Sequence, residues 1–416
     1  MSSQIIEVYA DWIVNSPPIL IGELKYSHSN RGGIFSFRYD SEFLKSPHCL
    51  QIDPMLDLYA GDLYNDSTDR NFRVFLDSCP DRWGRILMQR RAAIEYKSGR
   101  RQTSILTELD YLLGVHDSYR MGGIRFKLKQ GDSFLDNSTD FSAPPIASLR
   151  ELEYAALQLE ADSNIDRPEY YQWLSMLISP GSSLGGARPK ACVRDTDNHL
   201  WIAKFPNLND TVDMGAWEML AYQLAIMAKI EMYPSRLQKL SSIHHTFLTK
   251  RFDRIGSNRI HFSSAMTQLK YYDGNHSHKA SYLEIAEFLT RYGTRTSEDL
   301  SQLWRRVVFN IAISNTDDHL RNHGFLLNNK GWKLSPAFDL NPSIEKQGLH
   351  LNVTDNDNSL DYDLAFDTID FYHLSLAEAN KIYDEVLESV KNWQKIANQI
   401  GISRAEQLIK QEAFRI

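Results

Sequence analysis

Apolar and polar side chains alternate over residues 5–14, stop at Pro17-Pro18, and resume over residues 19–26. That period of two predicts a pair of half-buried strands. Arg31-Gly-Gly then leads into Ile34-Phe-Ser-Phe-Arg-Tyr, a third alternating run. Pro80-Asp-Arg-Trp-Gly-Arg-Ile-Leu-Met changes to helical spacing, with an early proline and acid opening the element. Residues 105–113 predict a second short helix, and residues 121–128 return to strand. A polar stretch with a Pro-Pro pair, residues 130–145, reads as a boundary loop.

Beyond it, residues 148–161 and 168–178 predict helices, and Leu200-Trp-Ile-Ala-Lys-Phe predicts a strand. Residues 212–230 predict a helix whose apolar face carries Ala216, Met219, Leu220, Leu224 and Met227. Two more strands are expected over 236–240 and 245–249. From residue 263 the pattern is mostly helical: 281–292, 300–314, a run from the capping pair Ser375 and Glu378 to residue 396, and 403–414. One hairpin interrupts it: Phe325-Leu-Leu, the turn Asn328-Asn-Lys-Gly, then Trp332-Lys-Leu. These elements predict an α+β protein in three parts: a β-rich part over 1–145, a mixed part over 146–254 and a helical part over 255–416.

At 416 residues, 42% of them hydrophobic, the chain is long enough for sizeable cores. A net charge of −7 argues against a nucleic-acid binder acting through bulk charge. Cys49, Cys79 and Cys192 are far apart and indicate neither a disulfide framework nor a zinc site, which fits a reducing cytoplasm. No secretory leader is expected at the N-terminus, and no apolar run reaches the length of a membrane span.

The chemistry gathers after the helix expected at 300–314, in Ser314-Asn-Thr-Asp-Asp-His-Leu-Arg-Asn-His-Gly-Phe. Asp317 stands five positions before Asn322, and Asp339 follows the hairpin. Phosphoryl transfer needs a carboxylate beside the attacking hydroxyl and oxygen ligands for Mg²⁺. Asp317 suits the first role, and Asn322 and Asp339 the second. Alone, the Asp-to-Asn spacing is short and common, and a polar loop capping a helix is the better reading. Helix, loop, hairpin and a later Asp together match the catalytic-loop order of protein kinases.

Upstream, Lys204 is a strand lysine flanked by apolar residues, and Glu218 lies fourteen residues on in the next helix. A strand Lys paired to a helix Glu is how protein kinases hold the α- and β-phosphates; the bland alternative is an edge lysine with its head in water. Gly185 and Gly186 in Ser182-Ser-Leu-Gly-Gly-Ala-Arg-Pro-Lys190 let backbone N–H groups approach a phosphate, or simply make a flexible turn. Lys190 either reaches that phosphate or points to solvent. Lys250-Arg-Phe-Asp-Arg is the expected hinge, with Phe252 either near an adenine or in ordinary core, and Asp253 with Arg254 as a surface ion pair. His276 and His278 read as solvated loop residues. The acidic stretch 354–363 lacks the Gly and Glu of a calcium loop.

Taken together, Ser183-Leu-Gly-Gly-Ala-Arg-Pro-Lys190, Ala203-Lys204-Phe-Pro, Arg251-Phe-Asp-Arg, Thr316-Asp317-Asp-His319-Leu-Arg-Asn322 and Pro336-Ala-Phe-Asp339 resemble the HipA family, serine/threonine kinase toxins of bacterial toxin–antitoxin pairs. Phe75-Leu-Asp-Ser-Cys-Pro-Asp-Arg, Leu112-Leu-Gly-Val-His-Asp-Ser and Gly122-Gly-Ile extend the resemblance toward the N-terminus. It implies a two-lobe, protein-kinase-like fold with a β-rich N-terminal subdomain, ATP and Mg²⁺ as cofactors, and a bacterial cytoplasmic setting. By motif position it implies Asp317 as catalytic base; His319 itself reads as a brace for that loop rather than a proton donor. Asn322 and Asp339 would be Mg²⁺ ligands, and Lys204, with Glu218, the phosphate contact. Ser183, Leu184, Gly185, Gly186, Ala187 and Lys190 would form the phosphate loop, and Arg251 and Phe252 the hinge side of the nucleotide site. Ser183, or its neighbour Ser182, would be autophosphorylated. The implied partners are an aminoacyl-tRNA synthetase such as glutamyl-tRNA synthetase as target, and a HipB-like helix-turn-helix antitoxin through which alone operator DNA is reached. Pro189 stands where the family usually has an acid, Lys250 where Glu is frequent, and Asp318 where Gly is common. Competing readings are a small-molecule kinase of the aminoglycoside or choline type, and a non-catalytic module that sequesters an antitoxin.

Overall fold

A computed structural model describes residues 3–29, 32–65, 70–129, 131–137, 144–161, 164–165, 167–178, 188–272 and 280–416. The chain divides into two compact units: 1–208 with 253–263, and 209–252 with 264–416. The three-part division at 145 and 254 remains a reading of the sequence.

The first unit opens with strands β1 (Ser3–Ala10), β2 (Ile19–Ser29) and β3 (Gly32–Tyr39), joined by β4 (Leu63–Tyr64) and β5 (Ile124–Leu128). They form an antiparallel sheet in the order β4-β3-β2-β1-β5. The alternation seen in the sequence becomes its two faces. Ile6, Val8, Ile21, Leu24, Phe35, Phe37 and Phe126 point into one core with Phe43, Phe72 and Phe75. Two helices, Leu149–Glu160 and Tyr170–Ile178, bury Leu152, Ala155, Leu159, Trp173 and Leu174. Strands β6 (Lys190–Arg194) and β7 (Leu200–Lys204) form a hairpin, with Lys190 opposite Lys204.

Helix Arg82–Lys97 starts one residue inside Asp81, whose Oδ1 accepts from the Gly84 N–H at 2.8 Å. The other oxygen of Asp81 lies 2.8 Å from Lys190 Nζ, and both side chains are nearly excluded from water. Lys190 therefore does not point to solvent; a buried ammonium persists there because a carboxylate accompanies it. Asp253 and Arg254 are not a surface pair either. Asp253 is fully buried, accepts from Gly122 N at 2.8 Å and from Arg254 Nη1 at 2.6 Å, and so ties residues 253–254 to the Gly122 turn. Gly122 adopts φ +73°, and a Cβ there would meet the Phe262 amide nitrogen at 2.9 Å, so glycine is required.

The second unit contains the hairpin of β8 (Ser235–Lys239) and β9 (His245–Lys250) and helix Met214–Met227, capped by Asp213. Ala216, Met219, Leu220 and Leu224 are buried as the periodicity requires, but Met227 at the helix end is 47% exposed. Helix Thr296–Ala312 is the core of this unit, burying Leu300, Leu303, Trp304, Val307 and Ile311. The run expected to continue to residue 396 is two helices, Leu376–Val390 and Trp393–Ile400, broken at Lys391 and Asn392. Ser375 and Glu378 do form the capping box. The last element is shorter than its pattern: helix Arg404–Lys410, then a single 3₁₀ turn over Gln411–Ala413. Among the described residues no helix is long and apolar enough to cross a membrane.

Replacing Asp81 with Ala removes a helix cap and strands a buried lysine. The variant is expected to lose about 3–5 kcal/mol in urea unfolding. A loss under about 1 kcal/mol, the level of an ordinary surface change, would contradict the role given to this pair.

Candidate active site

Helix Thr296–Ala312 ends at Ile313, and Ser314 turns the chain through φ +50°. Asn315 folds back on the helix, its amide N–H donating to Asn310 O at 2.8 Å and its Nδ2 to Asn310 Oδ1 at 3.0 Å. The next residues carry two adjacent carboxylates with opposite surroundings.

Asp318 is buried. Its Oδ2 accepts from Tyr282 Oη at 2.6 Å, from Asn310 Nδ2 at 2.7 Å and from His323 Nε2 at 2.7 Å. Burial acts to raise the Asp318 pKa, but His323 beside it, with the hydrogen bonds from His323 and Tyr282, outweighs burial and holds the carboxylate below its usual range. The same contact, after burial itself, pushes the Tyr282 hydroxyl well above its ordinary value. Asp317 is the reverse case. Its side chain is 76% exposed, and Lys346 Nζ donates to its Oδ1 at 3.2 Å.

Asn322 closes the turn. Its N–H donates to His319 O at 2.8 Å, and its Nδ2 to Asp317 O at 3.2 Å. That orientation leaves Asn322 Oδ1 as a buried acceptor with no hydrogen-bond partner. A buried amide oxygen left free is the kind of donor a hard cation such as Mg²⁺ takes. His319 stands edge-on to His350, ring centroids 5.8 Å apart, and its Nδ1 is likewise unsatisfied. Burial first, then His319 and Lys346, lower the His350 pKa.

Strands Gly324–Asn328 and Gly331–Leu334 form the expected hairpin. Its ends are tied together by Ser335 N donating to Gly324 O at 2.8 Å, and Arg306 Nη2 donates to Ser335 O at 2.5 Å. Asn322 precedes one end and Asp339 follows the other. Asp339 is half-buried and adopts φ +60°, a left-handed conformation that Asp tolerates better than most residues.

The remaining candidates divide by unit. Glu218 is buried within the second turn of helix Met214–Met227, in the same unit as Asp317. Arg251 is buried there too, and Phe252 packs in that unit's core, 5.6 Å from Phe338 and 6.1 Å from Tyr233 between ring centroids. Lys204, half-buried at the end of β7, and Lys190 belong to the other unit. Ser182, Ser183, Leu184, Gly185, Gly186 and Ala187 lie outside the described residues, as do His276 and His278. One group absent from the sequence reading, Asp195, Asp197 and His199, brings metal-binding side chains close together. It braces the β6–β7 turn: Asp195 accepts from the amides of Asp197 and His199 and from Trp201 Nε1.

Sequence reasoning also missed Tyr282, Asn310 and His323 around Asp318, and Lys346 beside Asp317. Asn310 offered a signal, since it is a polar side chain on the face that Leu303 and Val307 bury. Lys346, in an irregular segment, offered none.

Residues 182–403 match the model of the HipA-like C-terminal domain. No curated protein sequence matches the chain. Among solved structures, HipA of Shewanella oneidensis MR-1, from a complex of the toxin–antitoxin pair HipA and HipB with its operator DNA, aligns over 98% of this chain and 94% of its own. Its identity is 14% and its TM-score 0.64, a likeness of fold. CtkA, a proinflammatory kinase of Helicobacter pylori, aligns over 51% of this chain and 94% of its own, at 13% identity and a TM-score of 0.34.

His323→Ala is expected to cost about 1–3 kcal/mol, because it leaves buried Asp318 short of a donor. The sign with pH follows from the depressed Asp318 pKa. Its stabilisation is fully present above the ordinary value of 3.8 and is lost as pH falls through the lowered one. In His323→Ala that pKa rises, so acid unfolding should begin at higher pH. Coincident acid-unfolding curves for the two proteins would contradict the assignment.

Proposed function

Since the chain belongs to the family of the HipA-like C-terminal domain, we propose that it is an ATP-dependent serine/threonine protein kinase acting as the toxin of a toxin–antitoxin pair. One observation carries the reading: in Asp317-Asp318 the second carboxylate is consumed inside the protein, while the first is exposed, five residues before a buried Asn whose side-chain oxygen is unused.

The chain's own residues divide the work as follows. Asp317 orients a Ser or Thr hydroxyl and takes its proton as the γ-phosphoryl group arrives. Asn322 Oδ1 and the Asp339 carboxylate would hold Mg²⁺, which when bound would neutralise charge on the transferring phosphates. By motif position Lys204 would contact the α- and β-phosphates, and the segment from Ser183 to Lys190 would serve as the phosphate loop. Arg251 and Phe252 flank the backbone that meets the adenine. His319 braces the loop through its carbonyl and its contact with His350. With the phosphates held and the hydroxyl aligned, proximity and electrostatics supply most of the rate.

The target in this reading is an aminoacyl-tRNA synthetase such as glutamyl-tRNA synthetase, whose modification halts translation in the bacterial cytoplasm. A Ser of the phosphate loop, Ser183 or Ser182, is the site of self-modification. The partner is a HipB-like helix-turn-helix antitoxin, through which operator DNA is reached. The similarity of fold to a HipA solved with HipB and operator DNA supports this partner class.

Asp317→Asn is expected to lower phosphate transfer from labelled ATP by about 10²–10⁴-fold, the usual contribution of a positioned base. ATP affinity should change little, since Asp317 is assigned no contact with bound nucleotide. Transfer at the wild-type rate in this variant would overturn the assignment.

A further inference from the structure

Lys346, the charged neighbour of Asp317, has no part in the mechanism above. Its segment is pinned on both sides. Asn341 N donates to Asn315 Oδ1 at 3.4 Å, Ser343 N to Ser314 O at 3.2 Å, and Lys410 Nζ to Pro342 O at 3.0 Å. On the far side, Leu349 N donates to Asn358 O at 2.8 Å. Between these pins Ile344, Glu345, Lys346 and Gln347 form an exposed tip. Two of the pins, Ser314 and Asn315, belong to the loop that carries Asp317, so the tip is registered to the candidate base itself. At that tip Lys346 Nζ lies 3.2 Å from Asp317 Oδ1, with the two side chains 51% and 76% exposed. A pair this open to water adds little to folding. Its placement matters for what arrives at Asp317.

We propose that Lys346 is a catalytic residue of the phosphoryl transfer, its ammonium donating to the γ-phosphoryl oxygens as the group passes to the hydroxyl held by Asp317. The inference rests on the kinase reading. A base in use sits about 3 Å from the hydroxyl oxygen it deprotonates, and that oxygen about 3–3.5 Å from the atom it attacks. A cation in contact with the base is therefore one contact away from the phosphoryl oxygens. A lysine ammonium has three N–H donors, so one bond to Asp317 leaves two for those oxygens. In the step, the hydroxyl gives its proton to Asp317 and a bond forms from its oxygen to the γ-phosphorus. The bond from that phosphorus to the bridging oxygen breaks, and ADP departs with the electron pair. Lys346 meets charge that increases toward the transition state, where a preorganised donor has most effect.

The test uses the full chain with Lys346→Ala and Lys346→Arg, beside Asp317→Asn. Thermal unfolding checks that each variant folds. The first readout is affinity for ADP and Mg²⁺ with and without aluminium fluoride, which imitates the transferring phosphoryl group. The second is phosphate transfer from labelled ATP. Lys346→Ala is expected to lose about 10–100-fold in affinity for the fluoride complex and in transfer rate, with ADP affinity unchanged. Lys346→Arg should recover most of both. Unchanged affinity for the fluoride complex, or an equal loss for ADP alone, overturns the role. Wild-type transfer with inactive Asp317→Asn and fully active Lys346→Ala removes only Lys346. No wild-type transfer, or full transfer in Asp317→Asn, removes the kinase reading and Lys346 with it.

Discussion

One carboxylate oxygen, Oδ2 of Asp318, holds the loop on which the functional reading depends. It draws donors from three places: Tyr282 from one helix, Asn310 from another, and His323 from the residue just before the hairpin. A buried carboxylate is costly unless such donors surround it. Once they do, the chain beside it has little freedom. Asp317, next in sequence, is turned outward, and Asn322 is folded back to donate to the Asp317 carbonyl. The two adjacent carboxylates thus stand in opposite surroundings, Asp318 enclosed and Asp317 open to water.

Much of the fold was legible because hydrophobic period carries it. The alternation before residue 40 became the inner and outer faces of a sheet, and the spacing of Leu303, Val307 and Ile311 became the buried stripe of a helix. Errors arose where local pattern underdetermines the end of an element. Lys391 and Asn392 break a helix that periodicity alone would continue, and Met227 emerges into solvent at a helix end.

The candidate site was legible in a different way. Spacing and chain order singled out Asp317, Asn322 and Asp339, but spacing cannot report environment. The packed structure adds that Asp317 is exposed while Asp318 is enclosed by three donors. It also shows that Lys190 is paired with Asp81, some hundred residues earlier, and that Asp253 is internal. Ion pairs between distant segments leave no periodic trace in a sequence. The α+β fold and family membership are coarse properties, shared by chains that differ widely in sequence. Activity lives in the placement of a few side chains and has to be established there.

The most direct test of the central claim is to incubate the purified protein with Mg²⁺ and labelled ATP and map the label by mass spectrometry. Label on Ser182 or Ser183, absent from Asp317→Asn, is the result this account predicts. Absence of label together with absence of ATP binding would contradict it and leave a protein that uses this fold for binding a partner rather than for chemistry.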